Sequence, residues 1–257
     1  MKKLLLSALL TVCALPAFAQ NANVVRFGVD PTFAPFESVD SQGKLVGIDI
    51  DLGNALCKKM NVTCEWVKIN FDGAIPALKA KKIDGILSSM SVNEKRKKEV
   101  LFTTELYNTA SRMMVPKDKS VEPTVESLKG KTVGVVQGTT QAAYANKYWQ
   151  GKGVKLVMYQ NDERARQDMA LGRVDATLQD SASAQAFFES PEGANFHLSG
   201  KPAEDPAVLG PGTAIGLAHG NTALQTKINT AFKELRTSGA YDDMLKPYLK
   251  YGLIAPK

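Results

Sequence analysis

The chain reads as an α/β protein built in two lobes of like construction, and three features of the sequence lead there. Between residues 24 and 89, β-rich segments alternate with amphipathic helical ones, the pattern of a largely parallel sheet covered by helices on both faces. The same order starts again at residue 131 and runs to residue 180. The halves also share a phrase: "KKIDGIL" closes the first run and "GRVDATL" the second, with Asp84 and Asp175 in register. Asp suits helix-to-strand turns in general, but here the elements on both sides correspond as well, which favours two similar lobes.

Taken in order, "VVRFGV" (24–29) is a strand, "GIDIDLGNALCKKM" (47–60) an amphipathic helix, "TCEWVKI" (63–69) a strand, "AIPALKAKK" (74–82) a helix and "IDGILSS" (83–89) a strand. The second half gives "KTVGVVQ" (131–137), "TQAAYANKYW" (140–149), "KLVMYQ" (155–160), "ERARQDMALGR" (163–173) and "VDATLQD" (174–180). The segment "ELYNTASRMMVP" (105–116) crosses between lobes, and "AEDPAVLGPGTAIGLA" (203–218), rich in Gly and Pro and then strand-like, crosses back. A helical stretch from Thr222 to Tyr248 completes the first lobe. The expected division is residues 20–108 with 213–257 for one lobe and 109–212 for the other, with crossings near 109–113 and 204–212. A chain of 257 residues is large for one α/β domain and comfortable for two lobes. Two crossings at one edge make a hinge, and hinged lobes enclose a cleft.

Lys2 and Lys3 precede an apolar run from Leu4 to Leu15, and Ala17-Phe18-Ala19 supplies an A-x-A site, so residues 1–19 read as a secretory signal cut before Gln20. The run is shorter than the ~20 apolar residues of a membrane span. Cys13 lies within the leader behind Val12, which is not the small residue of a lipoprotein site, so a soluble exported protein is expected. Losing the leader removes two lysines and no acid, lowering the formal charge from +6 to +4. That excess is spread along the chain, and no aromatic platform interleaves its basic runs, so nucleic acid is not an expected partner. Cys57 and Cys64 flank a short turn; in an exported protein they are expected to be oxidised, the alternative being two buried thiols.

Ligand sites in open α/β sheets gather at the carboxyl ends of strands, and four such ends carry polar or aromatic residues: Asp30 to Phe33, Ser88 to Ser91, Gly138 to Gln141, and Asp180. In "SSMSVNEKR" (88–96), Ser91 and Glu94 fit a capping box ahead of a helix. Arg96 then falls in the first helical turn, where the dipole favours anions over cations. "VVQGTTQ" offers a second helix start whose amides can receive an anion, or a plain Gly-Thr turn with Thr139 as N-cap. An arginine seeking a carboxylate and an aspartate at Asp180 complement an α-amino acid, Arg96 by a bidentate pair with the α-carboxylate and Asp180 with the α-ammonium.

The stretches "DPTFAPFESVDSQGKLVGIDIDLGNALCKKM", "FDGAIPALKAKKIDGILSSMSVNEKRKKEVLFT" and "LKGKTVGVVQGTTQAAYA" closely resemble the periplasmic amino-acid-binding proteins of bacterial ABC importers, in the lysine/arginine/ornithine- and histidine-binding branch. The resemblance covers the mature chain and implies a Venus-flytrap fold, two α/β lobes joined by a two-strand hinge. It implies that Arg96 holds the ligand carboxylate, with Ser88, Ser89, Ser91 and Thr139 around it, and that Asp180 meets the ammonium. By the same resemblance Phe33 and Phe71 sandwich the ligand's side-chain stem, Asp30 meets a distal positive charge, and Cys57 and Cys64 form a disulfide. A monomer that serves a membrane permease and needs no cofactor is expected. Two departures stand out: Phe33 replaces a tyrosine common in this branch, and Pro211 in "GPGTAIGLAHG" replaces a charged residue, while "PAVLG" lacks an aromatic.

Catalysis finds less support. His197 and His219 lie in polar surroundings, no cluster has metal-ligand spacing, and "GKT" (130–132) lacks the upstream glycine of a phosphate loop, having Val125 there. Secreted cyclohexadienyl dehydratases look similar, but they need an acid for the leaving hydroxyl, and no cleft carboxyl beyond Asp30 and Asp180 is expected. A ligand-binding module for a chemosensory partner is the other alternative, with no signalling domain expected after Lys257.

Overall fold

Two five-stranded sheets organise the chain. The computed structural model describes residues 23–256, so the expected leader lies outside the described residues. In the first lobe β1 (Val24–Val29) leads into a small antiparallel sheet of β2 (Thr32–Phe33), β3 (Glu37–Val39) and β4 (Leu45–Val46). Then come α1 (Ile48–Met60), β5 (Thr63–Lys68), α2 (Ala74–Lys79), β6 (Gly85–Ile86), the short α3 (Glu94–Lys97) and β7 (Leu101–Phe102). The second lobe holds β8 (Ser111–Pro116), α4 (Val125–Leu128), β9 (Thr132–Val136), α5 (Thr140–Tyr148), β10 (Lys155–Tyr159) and α6 (Asp162–Ala170). It continues with β11 (Ala176–Asp180), α7 (Ser181–Phe188), β12 (Phe196–Ser199) and α8 (Pro206–Leu209). The chain returns to the first lobe with β13 (Gly216–Leu217), α9 (Thr222–Thr237), α10 (Ala240–Leu245) and a 3₁₀ stretch, Lys246–Tyr251.

The repeat expected from the sequence is present strand for strand. The orders are β5-β1-β6-β13-β7 and β10-β9-β11-β8-β12, in each of which the fourth strand alone runs antiparallel to both of its neighbours. The fourth strand of each sheet is the one that follows a passage from the opposite lobe, β13 in the first sheet and β8 in the second. The shared phrase has a shared role. Asp84 N donates to Arg26 O and Asp84 Oδ2 accepts from Arg26 N (2.8 and 2.9 Å). Asp175 N donates to Thr132 O and Asp175 Oδ2 accepts from Thr132 N, both at 2.8 Å. Each aspartate thus clamps the early part of the second strand in its sheet's order, β1 in one lobe and β9 in the other.

Burial follows the two periods. In α9, Ile228, Ala231, Phe232 and Leu235 form an i, i+3, i+4, i+7 stripe that packs with Leu52 and Leu56 of α1 and Phe27 of β1. The second core gathers Met113, Val133, Val135, Leu178 and Trp149. Cys57 and Cys64 are joined, Cα to Cα 5.8 Å, tying the end of α1 to the edge strand β5. The expected 83–89 strand is shorter than its pattern: only Gly85–Ile86 is strand, because Ser88 and Ser89 turn away to bond outside the ladder. The C-terminal helical stretch likewise breaks at Gly239, whose φ of 77° lies in the left-handed region.

The Asp84 clamp carries an additional pair, Arg26 Nη2 to Asp84 Oδ1 at 2.9 Å. Asp84→Ala should therefore cost about 1–3 kcal/mol of stability and Asp175→Ala about 1 kcal/mol. Urea denaturation of the two variants checks the order, and an equal loss would mean that the arginine adds nothing.

Candidate functional site

The two sheets face each other with the carboxyl ends of β1, β6, β9 and β11, and between them lies a cavity spanning about 510 Å³, part of it open to solvent. All nine residues singled out from the sequence line it: Asp30, Phe33 and Phe71; Ser88, Ser89, Ser91 and Arg96 from the first lobe; Thr139 and Asp180 from the second. The lobes touch at its mouth. Gln137 Nε2 donates to Asp72 Oδ2 (2.7 Å), and Arg96 Nη2 donates to Gly138 O (3.1 Å). Gly138 sits at φ 77°, and a Cβ there would lie 3.0 Å from Asp72 Cα, so glycine is needed both for the turn and for the close approach.

Arg96 is 7% exposed. The capping box expected from Ser91 and Glu94 is not what starts its helix. Asn93, with extended φ and ψ of −146° and 166°, is the N-cap, and its Oδ1 accepts from Arg96 N at 2.8 Å. Glu94 turns outward to Lys97, and the Ser91 carbonyl accepts from Arg96 Nη1 at 2.8 Å. The guanidinium stands 5.2 Å from the Phe71 ring centre, a cation–π distance. No carboxylate pairs with it among the described residues, and burial pushes its pKa down to about 10.

Asp180 caps α7. Its Oδ1 accepts from Ala182 N (2.8 Å) and Ser183 N (3.3 Å), and its Oδ2 from the Thr109 hydroxyl. Burial outweighs these bonds and raises its pKa to about 6. Asp30 is held by the loop it opens: Oδ1 accepts from Thr32 N and Oγ1 (3.3 and 2.7 Å) and Oδ2 from Phe71 N (3.0 Å). Thr139 is the N-cap of α5, its hydroxyl accepting from Ala142 N (3.1 Å) and donating to Val136 O (2.6 Å). What it can still offer an anion is its amide, 3.4 Å from Val136 O. Phe33 stacks on Phe36 at 4.9 Å, and Phe36 on Tyr107 at 5.5 Å.

The cavity also holds residues that the sequence reading did not single out, Asn161 and two further carboxyls, Glu37 and Asp162, among them. This corrects the expectation that Asp30 and Asp180 are the cleft's only carboxyls. Glu37 is fully buried in β3 beside Asp49 of α1. Ser88 Oγ donates to Glu37 Oε1 and accepts from Asp30 N (3.1 Å). Asp49 accepts from Tyr107 OH and from Ser89 N, both at 2.7 Å. Ser89 is thereby held at φ 44°, a left-handed conformation costly for a residue with a Cβ. Glu37 Oε2 is buried with no donor facing it. That suits a carboxylic acid whose proton serves the neighbouring carboxylate: burial and the Asp49 charge push Glu37 well up, and burial raises Asp49 to about 6. Asp49 could have been found from the sequence, since it shares the buried α1 face with Leu52 and Leu56 at i+3 and i+7. Asp162 reads as an ordinary acid in a helix's first turn, so its sequence gives no signal.

Residues 25–251 match the bacterial extracellular solute-binding proteins, family 3. The chain belongs to that family. It is 45% identical over 255 residues to the histidine-binding periplasmic protein of Escherichia coli K12, covering 98% of each chain. It is also 45% identical over 257 residues to that organism's lysine/arginine/ornithine-binding periplasmic protein, covering 98% of this chain and 99% of the relative. Among solved structures, an ancestral arginine-binding protein bound to arginine superposes with a TM-score of 0.82 at 35% identity, covering 88% of this chain and 98% of that one. The family member described here is thus a two-lobed α/β protein, as its sequence predicts.

The upward shifts of Glu37, Asp49 and Asp180 give a pH dependence with a definite sign. Stability contributed by an acid with a raised pKa is fully present below its unfolded value and is lost as pH rises through the folded one, about 6 for Asp49 and Asp180. Glu37→Gln removes one such group while keeping an acceptor for Ser88. Relative to wild type, its stability should therefore improve as pH rises above Glu37's ordinary value of 4.5. Denaturant titrations between about pH 4 and pH 8 check this; a constant difference across the range would mean that Glu37 does not hold its proton.

Proposed function

We propose that this solute-binding protein captures a basic L-amino acid, arginine, lysine, ornithine or histidine, between its lobes and delivers it to the membrane permease of an ABC transporter. The observation that carries the reading is the buried Arg96, without a carboxylate of its own, in one inter-lobe cavity with Asp180 and Asp30. Arg96 takes the α-carboxylate with its uncommitted N–H groups, assisted by Ser89 and Ser91 and the Thr139 amide, while Ser88, whose hydroxyl proton is committed to Glu37, shapes the wall beside them. Asp180 takes the α-ammonium. Phe33 and Phe71 flank the aliphatic stem, and Asp30 meets the distal charge. The names of the relatives, which bind histidine and lysine/arginine/ornithine, support the same ligand class.

Residues 1–19 direct the chain to the periplasm in this reading, and the protein works there as a monomer without chemistry on its ligand. The lobes are residues 20–108 with 213–257, and 109–212, moving about the crossings at 109–113 and 204–212. Support for a joint there comes from the pairing beside it, Leu106 N to Thr213 O (2.8 Å) and Thr213 N to Tyr107 O (2.9 Å). A ligand that touches both lobes shifts the population toward the closed form by its differential affinity for that form.

Native mass spectrometry of the purified protein, followed by identification of the released molecule, tests the proposal. An unaltered basic amino acid is expected; a neutral or acidic one would overturn the ligand class, and a chemically changed one the binding role. Calorimetry tests Arg96. Arg96→Lys keeps the charge but loses the planar two-point contact, so every amino-acid ligand should weaken by about tenfold or more. A loss confined to one ligand would mean that Arg96 reads side chains.

A further inference from the structure

We propose that Asp162 and Asp30, from opposite lobes, clamp the ligand's distal cation between them, with Asp162 supplying the uncommitted acceptors. The proposal deepens the basic-amino-acid reading and rests on it. Asp30 has spent most of its acceptor capacity on the chain itself, with three hydrogen bonds from Thr32 and Phe71 on a carboxylate that offers about four sites. Asp162 is 8% exposed, lines the same cavity, and accepts no hydrogen bond among the described residues. Its oxygens, given no donor by the chain, face the cavity, where an entering ligand can supply the donors. Guanidinium and ammonium groups carry five and three donors respectively.

Two plainer roles for Asp162 do not account for it. Capping of α6 is already done by Asn161, whose Oδ1 accepts from Arg164 N at 3.0 Å. A structural ion pair would need Arg166, the cation on the same helix that acts on Asp162, but that guanidinium is committed elsewhere. Its Nε and Nη2 donate to Gln179 Oε1 (3.2 and 2.9 Å), Nη2 also donates to Ser183 Oγ (2.7 Å), and it stacks 4.7 Å from the Phe187 ring centre. Arg166 thus offsets the Asp162 charge from behind without occupying its oxygens. Burial raises the Asp162 pKa, Arg166 opposes that rise, and Asp30 adds to it, which places Asp162 within the field of Asp30. Such a like-charged pair across a closing cleft is relieved by a cation placed between them, so the distal charge would help draw the lobes together.

Calorimetric titration of wild type, Asp162→Asn, Asp30→Asn and the double variant with arginine and with glutamine decides the matter. Asp162→Asn should weaken arginine at least tenfold and leave glutamine unchanged or tighter. The two single losses should not add in the double variant, because both groups meet one cation. Equal weakening of both ligands, or none of arginine, overturns the clamp while leaving the basic-ligand reading intact. Wild-type protein that binds neither arginine nor lysine overturns both. Asp162→Ser, neutral and of a different shape, repeats the comparison in case the asparagine packs poorly.

Discussion

Everything in this protein is arranged around charges that are buried in one cavity and cannot neutralise each other. Arg96 is taken out of water without a carboxylate, and Asp30, Asp162 and Asp180 are taken out of water without a cation at their oxygens. An uncompensated buried ion is expensive, and the cost falls only when a partner arrives with the right geometry. The chain keeps its ions apart by committing part of each to its own backbone: Arg96 to the Ser91 and Gly138 carbonyls, Asp180 to the first amides of α7, Asp30 to the loop after β1. These bonds substitute for some of the lost hydration and fix orientation, and they leave one side of each group open to the cavity.

That separation is what the doubled sheet plan provides. Two sheets of the same strand order, each clamped at its start by an aspartate, present their carboxyl ends to one another. Residues at equivalent strand ends then meet across the cleft from different lobes. At and behind the cleft wall the pair Glu37 and Asp49 links four elements: Ser88 and Ser89 after β6, the Asp30 amide after β1, the α1 start, and Tyr107 on the segment leading to the second lobe. Gly47 at φ 128° makes this possible, since a Cβ there would lie 2.2 Å from Phe36 O and push α1 away from β3. A half-satisfied polar network of this kind rigidifies only when every proton has a place, and a protonated Glu37 is what completes it.

Much of this was legible in the sequence because strand ends are legible. Asp30, Ser88, Thr139 and Asp180 each follow a β-rich run, and all four line the cavity. Arg96 was conspicuous because a cation opposes the dipole at a helix start. The helix start itself was misplaced: Ser91 and Glu94 satisfy the capping pattern, but the chain prefers Asn93, since Ser91 is taken up in a bridge to Thr213. Glu37 and Asp162 escaped because each looks ordinary where it stands, an acid in a short polar strand and an acid in a first helical turn. Their significance comes from tertiary burial, which local pattern does not encode.

The charge balance of the closed cleft ties these threads together. With Glu37 neutral, the cavity carries one guanidinium and three carboxylates, a net charge of minus two that draws cations and repels anions. An amino acid with a cationic side chain brings a net charge of plus one. The last positive charge is already in place as Arg166, buried behind Asp162 and Asp180 and held by Gln179 and Ser183 where no ligand displaces it. A neutral amino acid would leave one carboxylate uncompensated in a medium where such a deficit is felt strongly. On the proposed reading, selectivity for a cationic side chain would not reside in any single contact: it would follow from a fixed number of buried charges that balance only when the ligand supplies the missing one.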